Sequence, residues 1–247
     1  SGKDFSNSNL ENEIFFGSDL RNANFENSNV SGSDFSLANL ENANFKNAII
    51  DGIKLRQTIL DQTNFDNVDF SQVNLTNVDL TNSILKNSEL INKDLTKTFL
   101  YKSDLSGANL SGSNLSLVYL GDTVLKDANL TNTNLYEVDL SLALDKNLSG
   151  TELVGAVITW SDLVGIDLSG KDLSHTVFQN SDLSGQDFTN NVDFLGNDFH
   201  SAKLSNSNFE EVDLSLSKMF YINVKNGAHL NLTKPITNLD GIKLFEN

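Results

Sequence analysis

The sequence predicts a solenoid, and three observations carry that expectation. From Phe5 to Leu140 every fifth residue is Leu, Phe, Val or Ile without exception. The beat resumes at Leu148 and holds to Phe188, slips by one residue to Phe194, then holds to Val224. Two positions before each of these centres a small residue recurs: Ala23, Ser28, Ser33, Ala38, Ala43 and Ala48, then Thr63, Val68, Val73 and Val78. One position before the centre stands Asp or Asn, as at Asp19, Asn24, Asn29, Asp34, Asn39 and Asn44. A period of five fits neither the ~3.6 of a helix nor the ~2 of a strand, and no ordinary packed domain sustains it for most of its length.

Composition bounds the rest. The 247 residues are read as one elongated unit, because a single Pro leaves no Pro-rich linker to divide them. At 38% hydrophobic the core is thin and continuous. The absence of Cys excludes disulfides, thiol redox chemistry and Cys-based zinc sites. Net charge is −16, from 33 acidic and 17 basic residues. Such a chain repels DNA and anionic lipid, attracts basic partners, and stays soluble despite exposed flanks. No apolar run approaches the ~18 residues that span a membrane, and no signal segment opens the chain, so the cytoplasm is the expected compartment.

The repeating unit, [Ala/Ser/Thr/Val]-[Asp/Asn]-[Leu/Phe]-[Ser/Thr/any]-any, resembles the pentapeptide-repeat family over about residues 3–226. The resemblance implies an all-β fold: a right-handed quadrilateral parallel β-helix in which each unit makes one side and four make a coil of 20 residues. Centres and the small residues two before them then point inward. About eleven coils at ~4.8 Å give a rod of ~50 Å. Residues 20 apart become vertical neighbours, so Phe5, Phe25, Phe45 and Phe65 are expected to stack, whereas Leu75 to Leu140 is a pure Leu core. Residues 1–226 form the expected β-helix, irregular at 141–147 and 189–193, where bulges re-aim the wall. Residues 227–247, around Pro235 and Gly241, lose the repeat and read as a C-terminal cap or a dimerisation segment. Lys3 and Glu13 occupy inward positions, which predicts an irregular first coil or a homodimer through an end of the rod.

Tests for chemistry come back thin. His175, His200 and His229 have no second His at ligand spacing, and no nucleophile elbow, phosphate loop or zinc motif occurs. Neither catalysis nor a cofactor is expected. On a four-sided coil Asp162 stacks with Asp182 and Asp167 with Asp187; such carboxylate pairs repel and are the candidate cation ligands, with a solvated acidic stripe as the plainer reading. A sub-motif, Lys-[Asp/Asn]-[Leu/Phe]-[Ser/Thr], recurs at Lys3, Lys93, Lys146 and Lys171 and places Lys inward. A buried, unpaired ammonium is too costly, so a local bulge is expected to carry each Lys outward, beside Asp94 or Asp172.

Outward positions that break the polar rule are the candidates for partner binding. Phe99 and Tyr119 precede their centres by one and lie 20 apart on one side, with Ile59 on that side and Tyr101 close by; Asp79 and Asp139 flank the pair. Trp160 and Tyr221 are expected outward and isolated. Two functional readings follow. One is a non-catalytic scaffold that binds a protein. The other is implied by the resemblance: quinolone-resistance members of the family are acidic dimeric rods that occupy the DNA site of gyrase and topoisomerase IV, and net charge −16 suits such a DNA mimic.

Overall fold

The computed structural model describes residues 2–144, 148, 150–189, 195–210, 212, 214 and 216–223. The segment 227–247, Lys146, His229 and Phe194 lie outside the described residues. The chain forms a right-handed quadrilateral parallel β-helix. Isolated parallel bridges join residues 20 apart, beginning with Asp4↔Asn24, Asn9↔Asn29, Ile14↔Asp34 and Asp19↔Asn39. Four walls follow from that register. Wall 1 carries the centres Phe5, Phe25, Phe45 and Phe65; wall 2 carries Leu10, Val30 and Ile50; wall 3 carries Phe15 and Phe35; wall 4 carries Leu20, Leu40 and Leu60.

Each position of the five-residue unit has a physical reason. The carbonyl of a centre accepts from the N–H three residues on, as Leu20 does from Ala23 at 3.0 Å, and this closes a turn at every corner. The second turn residue is left-handed, as at Asn7, Asn27, Asn47 and Asn67 with φ of 55–59°, and Asn and Gly tolerate that conformation best. The Asp or Asn before the centre turns its Oδ1 onto the N–H two residues on, as Asn24 does with Glu26 at 3.1 Å and Asp34 with Ser36 at 2.9 Å. That self-capping explains the preference for Asx at this position. Asn side chains also run up wall 1 as an amide ladder, Asn44 to Asn24 at 3.2 Å and Asn64 to Asn44 at 3.1 Å.

The expected Phe stack is present. Ring centroids lie 4.9 Å apart for Phe5–Phe25, 4.6 Å for Phe25–Phe45 and 5.3 Å for Phe45–Phe65, each near-parallel. A second stack on wall 3, Phe15–Phe35 at 4.7 Å, meets the first edge-on across the core. After the Leu centres, Phe178–Phe199 and Phe188–Phe209 stack again.

The small inner residue controls how tightly coils approach. Thr and some Ser there donate to the carbonyl 23 residues earlier, as Ser33 does to Leu10, Thr58 to Phe35 and Thr98 to Leu75, whereas Ser28, Ser83, Ser88 and Ser103 donate to the carbonyl three residues back. Val is the same size as Thr but puts a methyl where the hydroxyl would bond. The bridge to the preceding coil is missing on the walls where Val68, Val73, Val78, Val118 and Val138 hold this position. Ile53 and Ile222 at the same position keep their bridges, Asp34↔Lys54 and Lys203↔Asn223, so the parted ladder goes with Val and not with every branched apolar residue.

Three sequence expectations need correction. The first coil is regular: Lys3 and Glu13 are exposed, and the bridges from Asp4, Asn9 and Ile14 are in place. No bulge forms at Lys93, whose own N–H and the following bridge Asp94↔Asn114 keep the register. Its ammonium instead reaches the carbonyls of Ser71 (2.6 Å) and Val73 (2.9 Å), and burial pushes its pKa down. Lys171 behaves alike, donating to the carbonyls of Leu148 and Thr151. Lys at the inner position thus replaces the Thr hydroxyl rather than leaving the wall. The interruption near 141–147 also starts later than its sequence suggests. A 3-10 turn at Leu140–Leu142 is capped by Asp139, and the N–H of Leu144 still bonds Thr123, in 20-residue register. Beyond it the register becomes 23, at Asn129↔Glu152 and Asn134↔Val157, returns to 20 at Val157↔Val177, and is 21 at Val177↔Asp198 and Asp182↔Lys203.

Candidate functional site

Phe99 and Tyr119 are exposed on wall 4, with 60% and 59% of their surface open. They are 20 apart, yet no bridge joins them, because Val118 parts the ladder there. Tyr119 does not stack on Phe99. Its ring folds over Gly121, where any β-carbon would lie 2.5 Å from the ring, and meets Tyr101 at 5.7 Å between centroids. Lys102 places its ammonium 4.9 Å from the Tyr101 ring, a cation–π contact. Ile59 is half exposed two coils from Phe99, with Asp79 between them. The four predicted residues therefore share one side of the rod, but the rings in contact are Tyr101 and Tyr119.

A row on the edge between walls 3 and 4 was not assembled by reading the sequence. Leu37, Leu117, Trp160 and Tyr221 all occupy the left-handed corner position of that edge, with φ of 60°, 63°, 58° and 54°. Leu117 is 66% exposed and Trp160 58%. Branched and aromatic residues avoid this conformation at a cost of about 1–2 kcal/mol each. The same edge also carries Gly17, Gln57, Asn77, Glu137, Asn180 and Ser201 at this position, while at the other three edges the described left-handed corner residues are Asn, Gly, Gln, Asp, Lys and His. Tyr136 on the same edge is also exposed, and His200 packs edge-on against Tyr221 at 5.4 Å. Trp160 and Tyr221 are outward as expected but belong to a common edge. Tabulating the second turn residue at 20-residue register, with the shift of three after Leu140 and of one after Phe188, would have found these positions.

The acidic residues are tied into the backbone. Asp79, Asp94, Asp104, Asp139 and Asp162 each accept the N–H two residues on. Hydrogen bonds from Ser36 hold Asp34 below the usual carboxylate range, those from Thr96 do the same for Asp94, and those from Ser169 for Asp167. Asp162 and Asp182 are bridged, as their spacing predicts. Asp182 turns to Ser184 and to the Lys203 ammonium at 3.0 Å; burial works to raise its pKa, and these partners lower it on balance. No bridge joins Asp167 to Asp187, because Gln186 at the inner position extends its amide to the carbonyls of Leu163 and Ile166. Among the described residues no three His, Cys, Asp or Glu side chains converge as cation ligands. His175 takes a left-handed corner beside Gly196. Among the described residues no helix is long and apolar enough to cross a membrane.

Comparison with known proteins agrees with this architecture. The Pentapeptide repeats family matches in eight copies, over residues 1–36, 18–57, 51–87, 74–112, 103–141 and 189–215. No curated protein matches. Among solved structures, HetL, a pentapeptide repeat protein involved in heterocyst differentiation regulation in the cyanobacterium Nostoc sp. strain PCC 7120, is 22% identical over 94% of this chain and 86% of its own, with a TM-score of 0.31. Full-length QnrB1, a plasmid-mediated fluoroquinolone resistance protein, is 19% identical over 91% and 90%, with a TM-score of 0.32. A pentapeptide repeat protein of the Arabidopsis thaliana thylakoid lumen is 20% identical over 57% and 70%, with a TM-score of 0.14. With the repeat matched over more than half its length, this chain belongs to the pentapeptide-repeat family.

Proposed function

We propose that the chain is a non-catalytic, protein-binding rod whose partner docks along wall 4 and its edge with wall 3. The observation that carries this reading is the set of large residues, Leu37, Leu117, Trp160 and Tyr221, held in left-handed backbone at that edge, with the Tyr101–Tyr119 contact toward the opposite edge of wall 4. Strain kept at exposed positions, where Asn or Gly would relieve it, marks a surface retained for something other than stability. Aromatic anchors with an acidic surround suit a partner that offers an apolar pocket and basic rim.

Two variants test it. A Tyr119→Asp chain should lose the partner that the parent chain captures from its source cells, while the same change at Ile14, an exposed residue on another wall, should keep it. Equal capture by the Tyr119 variant removes the docking surface. Leu117→Asn should raise thermal stability by up to about 1 kcal/mol, since Asn tolerates the left-handed corner, and should weaken capture. A more stable variant that still binds normally would leave the Leu117 strain unexplained.

A second reading is inhibition of gyrase or topoisomerase IV by DNA mimicry. The stacked Asp162 and Asp182 and the net charge of −16 favour it. Against it, much of the acidic charge closes turns, and Asp66, Asp104, Asp182 and Asp198 face Lys46, Lys86, Lys203 and Lys218 within 4 Å. A supercoiling assay over a salt series separates the two. DNA mimicry requires inhibition that fades as salt rises, and no inhibition at micromolar protein ends that reading.

A further inference from the structure

The ladder between two adjacent coils near the middle of the repeat is interrupted on three walls, while the Gly52 N–H still bonds the Gln72 carbonyl at 3.2 Å. The register calls for bridges 49↔69, 54↔74 and 59↔79 on walls 2, 3 and 4, and none is present, while Asn44↔Asn64 on wall 1 is intact. The inner residues stacked across the opening are Ala48 and Val68, Ile53 and Val73, and Thr58 and Val78, so every upper member is Val. Among the described residues, the N–H groups of Leu55, Leu60, Asn74 and Asp79 bond no acceptor. Backbone groups in a wall of this kind need water or a ligand.

A cleft of about 740 Å³ lies along this seam. Lys54, Arg56, Gln72 and Asn74 line it above a floor of Ile53 and Val78. A smaller extension of about 210 Å³ continues round the corner between Ile59 and Asp79. Lys54 and Arg56 make no ion pair within 4 Å among the described residues, although the chain carries 33 acidic residues. The opposite side of the same coil is treated differently. There Lys93 reaches across to Ser71 and Val73 and plugs the gap. One side of the coil is filled by the protein itself, and the other is left open beneath two cations.

We propose that this seam binds an extended acidic peptide segment. Its carboxylates would meet Lys54 and Arg56, and its main chain, which offers donors and acceptors alternately, would match the N–H and C=O groups left by the missing ladder. Phosphate or another small oxyanion would use the donors and leave the carbonyls unmatched. The seam crosses the edge between walls 3 and 4 and reaches Ile59, but it does not include Tyr101, Leu117 or Tyr119, so the two proposals are tested by different variants.

The probe is a fluorescein-labelled Glu-Val-Glu-Val-Glu-Val peptide, followed by anisotropy against the full chain. Saturable binding is expected, with none for the Lys-Val counterpart or for inorganic phosphate as a competitor. Lys54→Gln/Arg56→Gln should weaken binding by about tenfold or more. The decisive variant is Val73→Thr/Val78→Thr, which keeps both cations but supplies the hydroxyls that bond the coil below, as Thr58, Thr63 and Thr98 do. It should melt at or above the parent temperature and bind about tenfold more weakly or worse. Undiminished binding by this variant, or no binding at roughly millimolar peptide, overturns the proposal.

Discussion

The stretch from Asp4 to Asn44 and the stretch from Ile49 to Thr81 share one repeat but not one degree of closure. In the first, each wall is bridged to the next coil, from Asp4↔Asn24 to Asn29↔Ile49. In the second, three walls in succession lose their bridges. The centres do not explain this, because Leu55, Leu60, Phe70 and Leu75 are as buried as Phe25 and Phe35. The inner residues do. In these two stretches coils close where Ala, Ser, Thr or Ile53 sits above and part where Val does. Closure there thus tracks the small inner residue of the upper coil: some Ser and Thr add a hydroxyl-to-carbonyl bond between coils, and Ala closes without one.

The largest expected break of that comparison is in the well-closed stretch. Phe45→Ala removes a ring stacked on both Phe25 and Phe65 and leaves a cavity that rigid walls cannot collapse. Chemical denaturation should show a loss of about 3–5 kcal/mol. A loss under about 1 kcal/mol would mean that the core relaxes as a liquid does.

Val73→Thr/Val78→Thr should sharpen the comparison from the other side. Two hydrogen bonds and the associated ladder are gained, so each substitution should stabilise by about 0.5–1.5 kcal/mol, and amide exchange should slow at Leu55 and Leu60. Unchanged exchange at those amides would detach the seam from the Val residues. The reverse change in the closed stretch, Thr63→Val, should open the bridge between Asn44 and Asn64 and speed exchange there.

The smallest effect concerns pH and is common to both stretches. Asp34, Asp94 and Asp167 are held below the ordinary carboxylate range by their turn hydrogen bonds. A folded-state pKa below the unfolded value of about 3.9 adds stability that is complete above that value and is lost as pH falls through the folded one. Thermal melts should therefore be flat from neutrality to about pH 5 and decline below about pH 4. A decline already under way at pH 6 would implicate another group.

Much of this was legible without coordinates. The five-residue beat stands in the sequence; the inward centres, the Phe5–Phe25–Phe45–Phe65 stack and the outward Phe99 and Tyr119 follow once the family resemblance supplies the four-sided coil, because each coil repeats the same hydrogen bonds at the same offsets. The Lys side chains escaped that reading. An inward ammonium looks forbidden when its neighbours are counted only along the chain, but Lys93 finds two carbonyls 20 and 22 residues away.

What the sequence determined by itself is the solenoid: apolar residues every fifth position fit neither a helix nor a strand period, Asn or Gly at the corners permits the turns, and the resemblance to the pentapeptide-repeat family implies the square coil. The closure of each seam, the contact of Tyr119 with Tyr101 rather than Phe99, and the gathering of Leu37, Leu117, Trp160 and Tyr221 on one edge were decided by the tertiary structure. They depend on how a side chain meets the coil above or below it, a separation of twenty residues or more at which differences of a single methyl or hydroxyl decide whether two backbones bond.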